Sequence, residues 1–288
     1  MSLIGGKSRT TDDAKLRQVS HYPGSPHTRH YVSVISGHPV ADGAPDCGVG
    51  ADPGVAVTLS SVVIRAGASA APGVSLQIPA GQSVALRSQS DTTAVDVLDV
   101  VAGLRRPRSG QVIVNGAAVH SLSGAAMERY RRDRGLVSFR FPLLSSLSVT
   151  DNVLAASRSR RSDTRLRARA AELLVITGTA HVAAARIEAL TTEEHWRILI
   201  ARGLFAAPRL VLAEDPTQVL EPRSAARILD VLMDAHGRYG FTLLVATDRL
   251  VTAARCQRLI SLADGTVQAD ELAGDDDPWT RGRIDRIG

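Results

Sequence analysis

Few residue types in this chain could carry covalent or phosphate chemistry, and lysine is the most restricted of them. Lysine and arginine together number 34, but the only lysines are Lys7 and Lys15. Beyond Lys15, therefore, no side chain can form a Schiff base, and none can supply the ammonium with which a phosphate-binding loop holds a nucleotide. Any nucleotide site in this part of the chain has to work without lysine.

Cysteine content and charge limit the function further. Cys47 and Cys256 provide neither a disulfide framework nor metal-ligand spacing, which indicates a reducing compartment. The net charge of +5 allows nucleic acid or an anionic membrane as a partner, but aromatic residues make up only 3% of the chain, so few rings could stack on bases. We interpret the arginine run at 157–169 as a solvated helix face or linker. Neither a signal peptide nor a membrane span is expected.

Hydrophobic periodicity predicts the elements that must position any site. Strands are predicted at 55–65, 74–79, the end of 80–86, 109–116, 210–213 and 241–247, with a hairpin at 258–267, and helices at 94–104, 162–176, 193–205 and 223–236. The early strands favour an antiparallel sheet, and the later alternation of strands and helices favours a parallel one. Residues 1–54 are interpreted as an irregular extension, and residues 269–288 as a polar tail.

Several segments, in order and spacing, resemble the ATPase subunit of an ATP-binding cassette (ABC) transporter over about residues 55–268. The segments are 81–86, 100–116, 135–153, 197–217, 240–249 and 258–267. The closest similarity is to the lipoprotein-release, macrolide-export and cell-division type. The resemblance implies an α/β, P-loop NTPase-like fold with a mainly parallel core sheet, an N-terminal antiparallel β subdomain and an inserted helical subdomain at about 140–205.

The phosphate loop of that family, GxxxxGK[ST], is altered at its functional positions in this chain. Ser88 and Thr93 stand at the two glycine positions, Ala94 at the lysine position and Val95 at the hydroxyl that holds Mg²⁺. The corresponding positions are Ser88, Asp91, Thr92, Thr93, Ala94, Val95 and Asp96. Carboxylates are favourable at a helix N-terminus, so we expect Asp91 and Asp96 to take the role of the phosphate and repel it.

The other family motifs are altered as well. The carboxylate pair is reversed to Glu214–Asp215, so the metal-supporting group is one methylene too long and the base one too short. The signature LSGGQ is replaced by residues 190–194, with Thr191, Thr192 and Glu193 at its central positions. Phe139 stands at the Q-loop glutamine, Glu221 at the D-loop aspartate and Asp248 at the switch histidine.

The resemblance also implies that Glu214, Asp215 and Asp248 converge at the former catalytic centre. Three carboxylates could bind a divalent cation, but we favour partial solvation, with one group protonated or paired with arginine. No metal is expected, and ATP with Mg²⁺ would be a cofactor only if the altered site still bound it. No catalytic residue is expected.

These features predict a catalytically inactive ABC ATPase-like subunit that acts as a scaffold or regulator. It would dock on a membrane permease, at the cytoplasmic face of the membrane, through Phe139, Arg140, Phe141, Leu143 and Leu144. A competent ATPase paralogue would complete a head-to-tail dimer, and no nucleic acid is expected. Two alternatives stay open: a slow ATPase in which Arg87 or Arg105 replaces the lysine charge, and a basic binding module unrelated to transport.

Overall fold

A computed structural model describes residues 54–64, 73–89, 91–157 and 163–273. Residues 1–53 of the extension predicted at 1–54, and residues 274–288 of the tail predicted at 269–288, lie outside these residues. The strands are β1 (Val55–Val63), β2 (Val74–Pro79), β3 (Ser83–Arg87), β4 (Ser109–Val114), β5 (Ala117–Ala118), β6 (Gly135–Val137), β7 (Leu210–Glu214), β8 (Thr242–Thr247), β9 (Arg258–Ala263) and β10 (Thr266–Leu272). The α-helices are α1 (Thr93–Val101), α2 (Gly124–Arg132), α3 (Val149–Leu154), α4 (Thr164–Ile176), α5 (Thr192–Leu204), α6 (Pro222–Tyr239) and α7 (Leu250–Ala253).

The strands form two sheets whose pairing confirms the predicted fold class. The first sheet has the order β2-β1-β4-β5, and its neighbours are antiparallel. The second has the order β10-β9-β3-β8-β7-β6, in which only β10 and β9 pair antiparallel. The parallel core therefore places the carboxyl ends of β3, β7 and β8 at one edge.

The interiors of the central strands are apolar because helices cover both faces of a parallel sheet. Every residue of β8 is buried, as are the first four residues of β3 and of β7. Val84 and Leu86 belong to one core cluster together with α1, whereas Ala85 belongs to the other, which contains α5. Because side chains alternate along a strand, β3 connects the two clusters.

The helical region between β6 and β7 consists of α3, α4 and α5, which pack against one another. Asp163 begins α4 by accepting a hydrogen bond from the Leu166 amide at 2.8 Å. The fully buried Trp196 of α5 lies in the larger core cluster. Across the residues described, no helix is both long enough and apolar enough to cross a membrane.

Five of the described strands and α-helices do not follow from the hydrophobic pattern. Two of them, β5 and α7, have only two and four residues. Helix α2 buries only Met127 and Tyr130, so its sequence lacks an apolar stripe. Strand β6 and helix α3 have three and six residues, too few to show a period. At the other end of the domain, β10 continues to Leu272, beyond the predicted boundary at 268.

Candidate functional site

The candidate site lies at the carboxyl edge of the parallel sheet. Strand β3 ends at Arg87 and leads through a short loop into α1, while β7 ends at Glu214 and β8 at Thr247. Ligands of open α/β sheets bind at this edge, where helix N-termini and strand ends meet. The fold therefore brings the predicted phosphate-loop, carboxylate and switch positions to the same edge of the sheet.

The start of α1 is occupied by the carboxylate of Asp91. This group accepts hydrogen bonds from the Thr93 amide at 2.9 Å, the Thr93 hydroxyl at 2.8 Å and the Asp264 amide at 2.8 Å. Partial burial acts to raise the pKa of Asp91, but the hydrogen bonds from Thr93 and Asp264 outweigh it, so the pKa is lowered overall. A negative charge is favourable here because the first amides of a helix point outward.

A second side chain also binds this part of the backbone. The Ser88 hydroxyl donates to the Asp91 carbonyl at 2.9 Å and accepts from the Ala94 amide at 3.2 Å. Two amides that open α1, those of Thr93 and Ala94, are thus satisfied within the chain.

The positions of the family lysine and metal-binding hydroxyl contribute apolar packing. Ala94 is 1% exposed, and Val95 packs against the same core cluster. Asp96 is buried, accepts a hydrogen bond from the Thr92 hydroxyl at 3.0 Å and lies 3.4 Å from the Arg105 guanidinium. The Arg105 guanidinium therefore forms an ion pair with Asp96.

Arg140 forms a bridge between α1 and the end of β7. Its guanidinium contacts the buried Asp99 carboxylate at 2.6 and 3.1 Å and also donates to Glu214. Ser138 donates to the same Glu214 oxygen at 2.7 Å. The hydrogen bonds that Arg140 donates to Asp99 and Glu214 outweigh desolvation and raise the pKa of Arg140. The guanidinium predicted to face a permease is therefore engaged with these two carboxylates.

The two carboxylates at the end of β7 face different surroundings. Asp215 receives a hydrogen bond from the Thr217 hydroxyl at 3.3 Å, and burial together with the charge of Asp248 raises its pKa. Glu214, in contrast, is bound by Ser138 and Arg140. Glu214 and Asp215 therefore have different partners, and the expected convergence of the three carboxylates stays a prediction. No three acidic, histidine or cysteine residues in the described ranges form a group that could hold a metal ion.

The signature positions form the N-terminus of α5. The Thr191 hydroxyl accepts from the Glu194 amide at 3.3 Å, and the Glu194 carboxylate accepts from the Thr191 amide at 2.8 Å, which together make a capping box. Thr192 is the exposed first residue of the helix. These contacts fix the helix start using only side chains and backbone of the same segment.

Glu193 points back toward α6. Its carboxylate lies 2.9 Å from Arg197 and 2.5 Å from Arg227. The hydrogen bond from Arg227, assisted by those from Ser224 and Arg197, outweighs desolvation and lowers the pKa of Glu193 to about 2. The charge of Glu193 is thus balanced by arginines of the same chain.

The five predicted docking residues differ in exposure: Leu143 is buried, Phe139 is half-buried, and Arg140, Phe141 and Leu144 are exposed. The Phe139 ring contacts the Trp196 ring at a centroid distance of 4.2 Å, and Leu143 is buried. Phe141 and Leu144 are 37% and 52% exposed. Phe141 and Leu144 are therefore the most exposed hydrophobic side chains of the predicted set.

Two further predicted positions have local roles. Glu221 is the N-cap residue of α6, without a side-chain capping bond, and Pro222 follows at the first turn. The Asp248 carbonyl accepts a hydrogen bond from Arg87 Nε at 3.2 Å, so Arg87 links the end of β3 to the switch position.

Asp99, Ser138 and Arg227 also belong to this site, although the sequence did not predict them. Asp99 carried a usable signal, because a carboxylate on the apolar segment 94–104 must find a partner when buried. Ser138 and Arg227 carried no such signal. Their roles depend on contacts with Glu214 and Glu193, which are distant in the chain.

Comparisons with known proteins agree with this geometry. The family described as "ABC transporter" matches residues 72–218, just over half of the chain. A lipoprotein-releasing system ATP-binding protein, LolD 2 of Rhodopseudomonas palustris, is 34% identical over 199 residues, covering 68% of this chain and 85% of its own. The phosphonates import ATP-binding protein PhnC of Agrobacterium fabrum is 32% identical over 214 residues, covering 70% of this chain and 74% of its own.

A solved structure shows the same fold. The ATP-binding cassette MJ0796, described as a dimer in a post-hydrolysis state bound to ADP and phosphate, superposes with a TM-score of 0.67 at 26% identity. The match covers 76% of this chain and 99% of that one. From its fold, its site geometry and these relatives, the chain belongs to the family of ABC transporter ATP-binding domains.

Proposed function

We propose that this protein is a catalytically inactive ABC ATPase subunit that docks on a membrane permease and acts there as a scaffold or regulator. The observation that carries the proposal is the Asp91 carboxylate at the start of α1, bound by the Thr93 amide and hydroxyl. An incoming phosphate would have to displace a carboxylate that already satisfies these donors. The amides at this helix start are the groups that would otherwise bind an anion.

The local charge also opposes a nucleotide. No lysine is available beyond Lys15, and Ala94 fills the lysine position with a buried methyl group. Two unit charges about 4 Å apart interact with roughly 4 kcal/mol at an effective dielectric constant of 20. Repulsion of that size between Asp91 and a phosphate, with no ammonium to offset it, outweighs the one or two hydrogen bonds that remain. The residues present therefore do not fit ATP.

The metal side of the site is altered in a matching way. Glu214 stands where the family has its metal-supporting carboxylate, and it is bound by Arg140 and Ser138. A cation approaching Glu214 would have to displace a guanidinium. The residues present therefore do not fit Mg²⁺ either, and we expect neither ATP nor Mg²⁺ as a cofactor.

Docking is the activity that these changes leave in place. Phe141 and Leu144 remain exposed on the segment after β6, and the relatives LolD and PhnC are named as ATP-binding proteins of a release system and an import system. We place this chain beside a permease on the cytoplasmic face of the membrane. A competent ATPase paralogue would supply the energy for transport in a head-to-tail dimer.

Recovery of partners from membranes tests this function. The full chain, used as bait on detergent-solubilised membranes of cells that express it, should retain a polytopic membrane protein and a second ABC ATPase. Exchanging both Phe141 and Leu144 for serine should abolish recovery of the membrane protein. The matched control is Val175→Ser, which alters an exposed apolar side chain on α4. Equal recovery by all three baits would contradict docking through this segment.

A slow, divergent ATPase is the second candidate, and one observation favours it. Burial and Asp248 raise the pKa of Asp215, which would improve that carboxylate as a proton acceptor. The arginines proposed to replace the lysine are engaged elsewhere, since Arg87 binds the Asp248 carbonyl and Arg105 lies beside Asp96. Measurable ATP turnover that Asp215→Asn abolishes would favour this candidate over the inactive subunit.

A further inference from the structure

The segment that follows β6 is attached to the rest of the domain at several points. The Phe139 ring packs on Trp196, and Arg202 donates to the carbonyl of Phe141 and, at 2.9 Å, to that of Pro142. These contacts hold the backbone of residues 138–142 against α5.

The far end of the same segment is fixed by the buried Asn152. Its side-chain oxygen accepts from the Leu144 amide at 2.7 Å, and its amide group donates to the Leu144 carbonyl at 3.0 Å. Leu144 is thus held through its backbone while its side chain is exposed.

Arg140 is the contact that connects this segment to the candidate site. It reaches Asp99 on α1 and Glu214 at the end of β7, so one guanidinium joins the segment after β6 to both elements. Asp99 is 5% exposed, and a carboxylate buried to that degree requires a partner. The planar fork of arginine can serve two carboxylates at once, which a lysine ammonium does less well.

We propose that Arg140 is a positioning residue that acts as an internal cation: it fastens residues 138–144 to α1 and β7, so that Phe141 and Leu144 are presented permanently, without nucleotide or metal. The role assigned to Phe141 and Leu144 rests on the proposed function, whereas the fastening of the segment does not. Residues 138–144 are then held in place at all times, as a scaffold subunit requires.

Hydrogen–deuterium exchange on the full chain tests the fastening. In Arg140→Met, amides of residues 138–147 should exchange about tenfold faster or more, because an unpaired buried carboxylate favours local opening. Arg140→Lys should restore part of the protection, since a charge remains. The control is Arg132→Met, which alters an exposed arginine on α2 that lies 3.7 Å from Glu128, and it should leave the segment unchanged. Unchanged exchange in Arg140→Met would overturn the proposal.

A second variant separates fastening from the cost of an unpaired charge. The triple variant Asp99→Asn, Arg140→Met and Glu214→Gln removes all three charges, and its segment should still exchange about tenfold faster while the central sheet stays protected. Retained slow exchange in the triple variant would overturn the proposal even if Arg140→Met alone unfolded the domain.

Adding ATP and Mg²⁺ to the wild-type chain distinguishes this inference from the proposed function. Exchange of residues 138–147 should be the same with and without them, and slowing by the nucleotide would overturn the inference. Saturable ATP binding with unchanged segment exchange would instead refute the proposed inactivity and leave the fastening intact.

Discussion

Replacing Glu193 with glutamine tests whether the signature position has become a structural ion pair. In the folded chain Glu193 lies between Arg197 and Arg227, and its pKa is lowered from 4.5 to about 2. A folded-state pKa below the unfolded value means that the ionised group stabilises the fold. The contribution is complete above about pH 4.5 and is lost as the pH falls toward about 2.

The size of the effect follows from that displacement. Without screening, it corresponds to about 3 kcal/mol, at roughly 1.4 kcal/mol per pKa unit. Arg227 faces solvent, with 52% of its side chain exposed. Solvent screening therefore reduces the contribution of ionised Glu193 to the free energy of unfolding to about 1–1.5 kcal/mol. For a domain of this size, the melting temperature should fall by about 2–6 °C.

Urea unfolding of wild type and Glu193→Gln at pH 7, 5 and 3 measures this contribution. The difference in unfolding free energy should be about 1 kcal/mol at pH 7 and should shrink between pH 5 and 3. Glu188→Gln, an exposed glutamate of the preceding connection, is the control and should show no difference at any pH. A Glu193→Gln difference that is zero at pH 7, or constant across the range, would refute the ion pair.

Four further changes have defined outcomes. Thr191→Ala should lower the free energy of unfolding by about 1 kcal/mol, because it removes the capping box; an unchanged urea midpoint would contradict the cap. Trp196→Ala should cost about 3–5 kcal/mol in the same assay, because the ring is fully buried against Phe139; a loss below 1 kcal/mol would contradict that packing. Asp91→Asn should cost about 0.5–1 kcal/mol at pH 7 without producing ATP binding, because the helix start loses a charge but gains no ammonium; calorimetric binding of ATP would argue against this reasoning. Leu144→Ser should change stability by less than about 0.5 kcal/mol, because the side chain is exposed; a larger loss would place it in the core.

The regular elements could be predicted where burial imposes a pattern. Strands β7 and β8 are apolar runs because helices cover both sheet faces, and the Asp264–Gly265 turn of the last hairpin supplies the positive φ values that such a turn needs. Short elements escaped prediction, since the three residues of β6 cannot display a period. That strand is defined by its pairing with β7, which is a tertiary contact between segments far apart in the sequence.

The candidate site was predictable as a set of positions but less so as a set of contacts. The resemblance placed Asp91 near the helix start, where its carboxylate accepts a hydrogen bond from the Thr93 amide. The direction of Arg140 depends on Asp99, and that of Glu193 on Arg227, 34 residues further along the chain. Long-range charge pairing of this kind leaves no periodic signal in a single sequence.

Isothermal titration calorimetry of ATP into the full chain, with Mg²⁺ present, tests the central claim most directly. The Asp91 carboxylate occupies the start of α1, and Arg140 is bound to the Glu214 carboxylate. We therefore expect no saturable binding at millimolar nucleotide. The LolD relative, titrated in parallel, serves as the positive control. Saturable binding of ATP to this chain with micromolar affinity would contradict the account.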